Sequence, residues 1–373
     1  MSSPNTVIIG AGPAGLAAAG ALKAKGAEPI LLEKADNVGS VWRRHYDRLH
    51  LHTDRAHSGL PGLPMPASYP RYPSRQQFVD YLEDYARKFA LTPLFGVRVS
   101  AVRREAGRWR VEAGEKVWRA ANVVVATGSA DFPYAPTWPG QETFQGQILH
   151  SSGYKNPTPF GRQRVLVVGF GNSGGEIALD LAQAAIDVTL AVRGPVRVLP
   201  RDLLGLPILT WAIGQSFLPA RVSDALNAPV IRLALGSLEA LGLRTAAKGP
   251  RQMVEEDGRV PLLDMGTIAK IRAGAIKVRG AIDRFTPDGI VFADGTAERY
   301  DAVILATGFH PDLRALLPDA ADTLDAAGQP RVSGRSAAAP GLFFCGAKVV
   351  ATGQLREIGI EAERIAELAT RRA

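Results

Sequence analysis

Short, nearly continuous apolar runs punctuate the chain at residues 7–9, 30–32, 123–126, 165–168, 188–192, 302–306 and 342–345. Runs of this length read as parallel strands buried on both faces. Helical periodicity fills several intervals. Ala- and Leu-rich stretches follow the first and fourth runs, and Gly26 is placed to cap the first of them. Ser74 with Gln77 three residues on predicts a capping box, followed by core positions Phe78, Leu82, Tyr85 and Phe89. A last helix starts near Thr352, with Ile358, Ala362, Ile365 and Leu368 facing the core. Residues 94–120 read as an antiparallel meander, and the prolines between Leu60 and Pro73 demand extended chain. Alternation over Arg48–Thr53 predicts a short strand with His50 and His52 on one face. Residues 203–243 are apolar but interrupted by prolines 207, 219 and 229. They read as short packed helices, with a substrate lid or a membrane-surface patch as sharper alternatives.

Glycine then adds chemistry to this pattern. Gly10-x-Gly12-x-x-Gly15 and Gly169-x-Gly171-x-x-Gly174 each lie between an apolar run and a helical stretch. In that context the first glycine makes the tight turn, the second lets backbone approach a pyrophosphate, and the third permits close helix–strand packing. The helix N-terminus presents free N–H groups to the phosphates. Neither motif continues into Gly-Lys-Ser/Thr, which argues against a nucleoside triphosphate loop. The alternative is a pair of tight turns without ligand. The following strands end differently, at Glu33 and at Arg193. A carboxylate accepts from ribose hydroxyls, whereas a cation suits a 2′-phosphate. The first site is therefore expected to hold FAD or NAD and the second NADP.

A second ending is also duplicated: Ala126-Thr127-Gly128 and Ala306-Thr307-Gly308. The fold class expected is α/β, a Rossmann-like flavoprotein architecture with two dinucleotide-binding domains. Residues 1–158 and 302–373 form a discontinuous first domain, and 159–301 form an inserted second one carrying the apolar 203–243 segment.

Composition narrows the alternatives. With 46% hydrophobic and 21% charged residues over 373 positions, the chain is that of a globular protein of about two domains. Its net charge of +8 is dispersed, so anionic cofactors account for it and nucleic acid is not expected. The single cysteine, Cys345, excludes an internal disulfide or a Cys-x-x-Cys redox pair. His50 and His52 lack a third clustered ligand, so no metal site is expected. No apolar run reaches the roughly 18 residues of a membrane span, and a cytoplasmic location follows as the expectation.

The segment Phe144-x-Gly146-x-x-x-His150-x-x-x-Tyr154 resembles the fingerprint of flavin-containing monooxygenases. Gly39-Ser40-Val41-Trp42, Tyr72–Phe78 and Asp264–Ile271 make the chain similar to the YUCCA-like branch, apart from Ser40 where Gly-Gly is usual. The resemblance implies a class B flavoprotein monooxygenase with bound FAD, NADPH as reductant and O₂ as co-substrate. It implies FAD contacts at Gly10, Gly12, Pro13, Ala14, Gly15, Glu33, Lys34, Val41, Trp42, His52, Thr127, Gly346 and Leu355. NADPH contacts are implied at Phe144, Gly146, His150, Gly169, Gly171, Asn172, Ser173, Gly174, Arg193, Thr307 and Gly308, with 144–150 as a hinge between domains. Hydride would pass to flavin, and a C4a-(hydro)peroxyflavin would oxygenate a small organic substrate. N- or S-oxygenation, Baeyer–Villiger oxidation and oxidative decarboxylation of a 2-oxo acid are the open reaction types. No side chain is assigned as chemical catalyst; His52 and His150 are the candidates. The competing functions are an NADPH oxidase or reductase without oxygen transfer and an NADPH-sensing binding protein. A homodimer is left open.

Overall fold

The computed structural model describes residues 5–371. Its chain forms two compact units, residues 1–44, 53–132 and 310–373 in the first, and 45–52 with 133–309 in the second.

The first unit is built on a four-stranded parallel sheet in the order Leu342–Phe344, Asn122–Val125, Thr6–Ile9, Ile30–Leu32. Strand periodicity sends Val7 and Ile9 to one face, where they join Val123, Val125 and Phe344 against Val102, Trp109 and Val111 of an antiparallel meander. The meander comprises Ala101–Glu105, Arg108–Ala113 and Lys116–Ala120. Ile8 points the other way, toward the helix Pro13–Ala24 that begins at the first glycine motif. The helix Arg75–Lys88 starts at the capping box expected: Ser74 Oγ accepts from the Gln77 N–H, and Gln77 Oε1 accepts from the Ser74 N–H.

The second unit repeats the plan with a five-stranded parallel sheet, ordered Ile276–Arg279, Asp187–Ala191, Arg164–Val168, Ala302–Leu305, Gln147–His150. A three-stranded meander, Ile282–Thr286, Gly289–Phe292 and Ala297–Arg299, again precedes the Ala-Thr-Gly strand and supplies Phe285 and Phe292 to its core. The strand flanking the Ala-Thr-Gly strand comes from the chain's end in the first unit and from residues 147–150 in the second.

Three local expectations are corrected. Arg48–Thr53 makes no strand. Leu49 and Leu51 are buried while His50 and His52 are half-buried, and His50 makes only an isolated bridge, so the alternation records one packed side and not a strand. The C-terminal helix runs Gln354–Thr370 and buries Leu355, Ile358, Ala362, Ile365, Ala366 and Ala369, leaving Leu368 at the margin. The apolar 203–243 region holds a helix of 16 residues, Ala220–Leu235, longer than the short helices expected, with Pro229 inside it. Among the described residues no helix is long and apolar enough to cross a membrane, and no cluster of metal-ligating side chains occurs.

Candidate functional site: two dinucleotide cradles

Both glycine motifs sit at the carboxyl ends of their central strands, where open α/β sheets bind ligands. Their three glycines do three different jobs, and the geometry separates them. Gly10 and Gly169 adopt φ of +107° and +114°. A Cβ on them would lie 2.6 Å from the Ala126 carbonyl oxygen and 2.4 Å from that of Ala306. The Ala-Thr-Gly strand ends thus abut the first glycine of each motif. A Cβ on Gly15 would fall 1.7 Å from the Gly10 carbonyl oxygen, and on Gly174 2.2 Å from that of Gly169. Around Gly12 and Gly171, by contrast, nothing stands within 4 Å of such an atom. Packing demands the outer glycines; the middle ones face open space, as a backbone meant to be approached by a pyrophosphate must.

The helices that follow are prepared for anions. Pro13–Ala24 and Asn172–Gln183 begin after Gly12 and Gly171 with no side chain capping their first N–H groups, which leaves orphan donors and the positive dipole end for phosphate. Gln354–Thr370 likewise starts uncapped after Gly353. The residues present therefore fit a dinucleotide in each unit.

In the first unit Glu33 is buried at 6% exposure and spans the motif. Its Oε2 accepts from the Ala11 N–H at 2.7 Å and its Oε1 from the Ala35 N–H at 2.9 Å. Each oxygen retains a lone pair for a ribose hydroxyl, so Glu33 shapes the loop as well as the site. Lys34 forms an ion pair with Asp131. Val41 and Trp42 lie on the short helix Ser40–Arg44, the indole edge-on to Phe78 with centroids 4.4 Å apart. Ala14 approaches Gly346, whose φ is +71° and whose N–H donates to the buried Glu361 at 2.6 Å. Burial raises the Glu361 pKa, while that N–H and the Ser333 hydroxyl oppose the shift. Thr127 follows Ala126 at the strand end, and Leu355 is buried in the first turn of the last helix.

In the second unit Asn172 Oδ1 accepts from the Leu263 N–H at 2.8 Å, pinning a neighbouring loop. Arg193 is exposed beyond its strand, and its guanidinium makes no hydrogen bond or ion pair among the described residues. His150 ends the edge strand beside Leu305. Its Nδ1 accepts from the Ser152 N–H at 3.1 Å and its Nε2–H donates to the Gly308 carbonyl at 3.1 Å. Burial lowers its pKa against that second bond, so a neutral imidazole fastens the Ala-Thr-Gly turn. The Thr307 hydroxyl donates to the Tyr134 carbonyl.

Three further sequence-predicted residues lie outside the two glycine turns. Phe144 and Gly146 precede the amino end of the edge strand, away from the cradle. Phe144 packs edge-on against Phe285 at 5.5 Å, and a Cβ on Gly146 would lie 2.5 Å from the Asp301 carbonyl oxygen. They build the strand's start. His52 belongs to the second unit, with Nε2 on Glu176. Sequence reasoning missed Glu176 and Tyr46, which join His52 in a buried polar cluster; the one signal was an acidic residue two positions past the motif's last glycine, on an otherwise apolar helix face.

A family model for flavin-binding monooxygenase-like proteins matches residues 4–319. The chain belongs to that family. It is 42% identical over 336 residues to indole-3-pyruvate monooxygenase YUCCA1 of Oryza sativa subsp. japonica, an alignment covering 88% of this chain and 82% of the relative. A mutant flavin monooxygenase from Stenotrophomonas maltophilia superposes with a TM-score of 0.77 at 28% identity, covering 100% and 99% of the two chains. A mutant cyclohexanone monooxygenase from Rhodococcus sp. Phi1, bound to NADP⁺, shares the fold at 20% identity, with a TM-score of 0.76 and coverage of 98% and 85%. As a flavin-binding monooxygenase-like protein, the chain is an NADPH-dependent oxidoreductase that uses FAD, NADPH and O₂.

Proposed function

We propose that the first cradle holds FAD, the second holds NADPH, and the pair oxygenates a 2-oxo acid bearing an aromatic side chain. The observation that carries the reading is the matched open space at Gly12 and Gly171, set between glycines that packing alone demands. The strand ends support assigning FAD to the first cradle and NADPH to the second, with a carboxylate at Glu33 and an unengaged cation at Arg193. The substrate class rests on the indole-3-pyruvate monooxygenase relative.

FAD, when bound, supplies hydride acceptance from NADPH and activation of oxygen. The chain's own residues bind and orient. Helix N-termini after Gly12 and Gly171 take the pyrophosphates, Glu33 takes a ribose, and Arg193 takes the 2′-phosphate. Neutral His150 holds Gly308 so that the turn beyond the second sheet keeps its shape. The overall change consumes the 2-oxo acid, NADPH, a proton and O₂. It yields the carboxylic acid one carbon shorter, CO₂, NADP⁺ and water; one oxygen atom enters the acid and the other leaves as water.

Oxygen uptake with NADPH across a panel of aromatic 2-oxo acids, ketones and sulfides tests the assignment. The proposal expects uptake matched by CO₂ release with the 2-oxo acids alone. Matched uptake with a ketone or sulfide and none with any 2-oxo acid would overturn the substrate class.

A further inference from the structure

The segment 45–52 leaves the first unit's sequence and packs within the second, along the helix that follows Gly171. Three of its side chains meet that helix. Tyr46, buried, has its hydroxyl beside Ser173 and Glu176. His52 Nε2 hydrogen-bonds Glu176 Oε1. Arg48 Nη1 donates to Gln183 Oε1 at 2.6 Å and lies 3.4 Å from Asp180 Oδ1. From Ser173 to Gln183 these contacts run about 15 Å along the helix.

Glu176 is the unusual member. It is 1% exposed, and among the described residues its Oε2 has no hydrogen-bond partner. A carboxylate so buried is costly unless paired. It also lies one helical turn from the N–H groups that must receive a dinucleotide's phosphates, so its negative charge opposes theirs. His52 is a side chain that holds the carboxylate by a hydrogen bond. We propose that the His52–Glu176 pair is a positioning device for the second cradle: the His52 hydrogen bond holds and orients the carboxylate beneath the phosphate site, and the 45–52 strap thereby sets the affinity for NADPH. This rests on the assignment of the second cradle to NADPH.

The test is the Kd for NADP⁺, measured by calorimetry on the FAD-loaded protein, with flavin content as the check on folding. His52→Ala leaves Glu176 with only the Tyr46 hydroxyl beside it among the described residues and is expected to raise Kd about tenfold, the scale of a charge-assisted hydrogen bond. Adding Glu176→Gln removes the opposing charge and is expected to recover most of that loss. A merely structural role would lower Tm without moving Kd and would give no recovery. Tyr46→Phe, a single hydroxyl removed beside the same carboxylate, is the milder variant and is expected to weaken NADP⁺ about threefold. A Kd within twofold of wild type in both His52→Ala and Tyr46→Phe would overturn the proposal. Wild-type protein that binds no NADP⁺ would instead overturn the cradle assignment beneath it.

Discussion

At the scale of single residues, the glycines make the sharpest predictions because identical residues carry different burdens. Gly12→Val places its side chain in open space. The variant is expected to fold with near-native thermal stability yet purify without flavin absorbance; retained yellow FAD would contradict the first cradle. Gly15→Ala drives a methyl into the Gly10 carbonyl, so it is expected to lower Tm by several degrees, the response to a loss of a few kcal/mol from overpacking. Arg193→Ala is expected to raise KM for NADPH and leave KM for NADH alone, a difference of about 1.5–3 kcal/mol for a lost charge-assisted contact. Equal effects on both nucleotides would remove Arg193 from the 2′-phosphate site. The packing roles of the glycines were readable in advance because local spacing encodes local geometry. Glu176 was not, since its meaning depends on His52, 124 positions away.

At the scale of elements, terminal chemistry was the most legible part of the sequence. The Ser74 capping box forms as its spacing requires, and Ser74→Ala is expected to cost about 1 kcal/mol in denaturant unfolding. The edge strand Gln147–His150 predicts a pH dependence. Burial depresses the His150 pKa, so the fold favours the neutral imidazole. That contribution is complete above the ordinary value of about 6.5 and is lost as pH falls through the lower folded value. Thermal melts from pH 8 to pH 5 should therefore show a steeper acid decline for wild type than for His150→Asn; parallel curves would contradict it. The 48–53 segment was misread because period-two alternation reports which side is buried, not whether a strand partner is present; here the polar side, Arg48 and His52, bonds a helix.

At the scale of the whole molecule, duplication was visible in the paired glycine motifs and paired Ala-Thr-Gly endings, and the sheets repeat it strand for strand around their central positions. The path of residues 45–52 into the second unit was invisible, because long-range side-chain pairing leaves no periodic trace. Both units serve one claim, that NADPH oxidation ends in oxygen transfer to carbon. Isotopically heavy dioxygen tests this most directly, with the FAD-loaded protein, NADPH and an aromatic 2-oxo acid in one vessel. One heavy oxygen atom in the shortened carboxylic acid, formed one-for-one with NADPH consumed, is the predicted result. Unlabelled acid, or NADPH oxidation that yields stoichiometric hydrogen peroxide with the 2-oxo acid unchanged, would contradict the account.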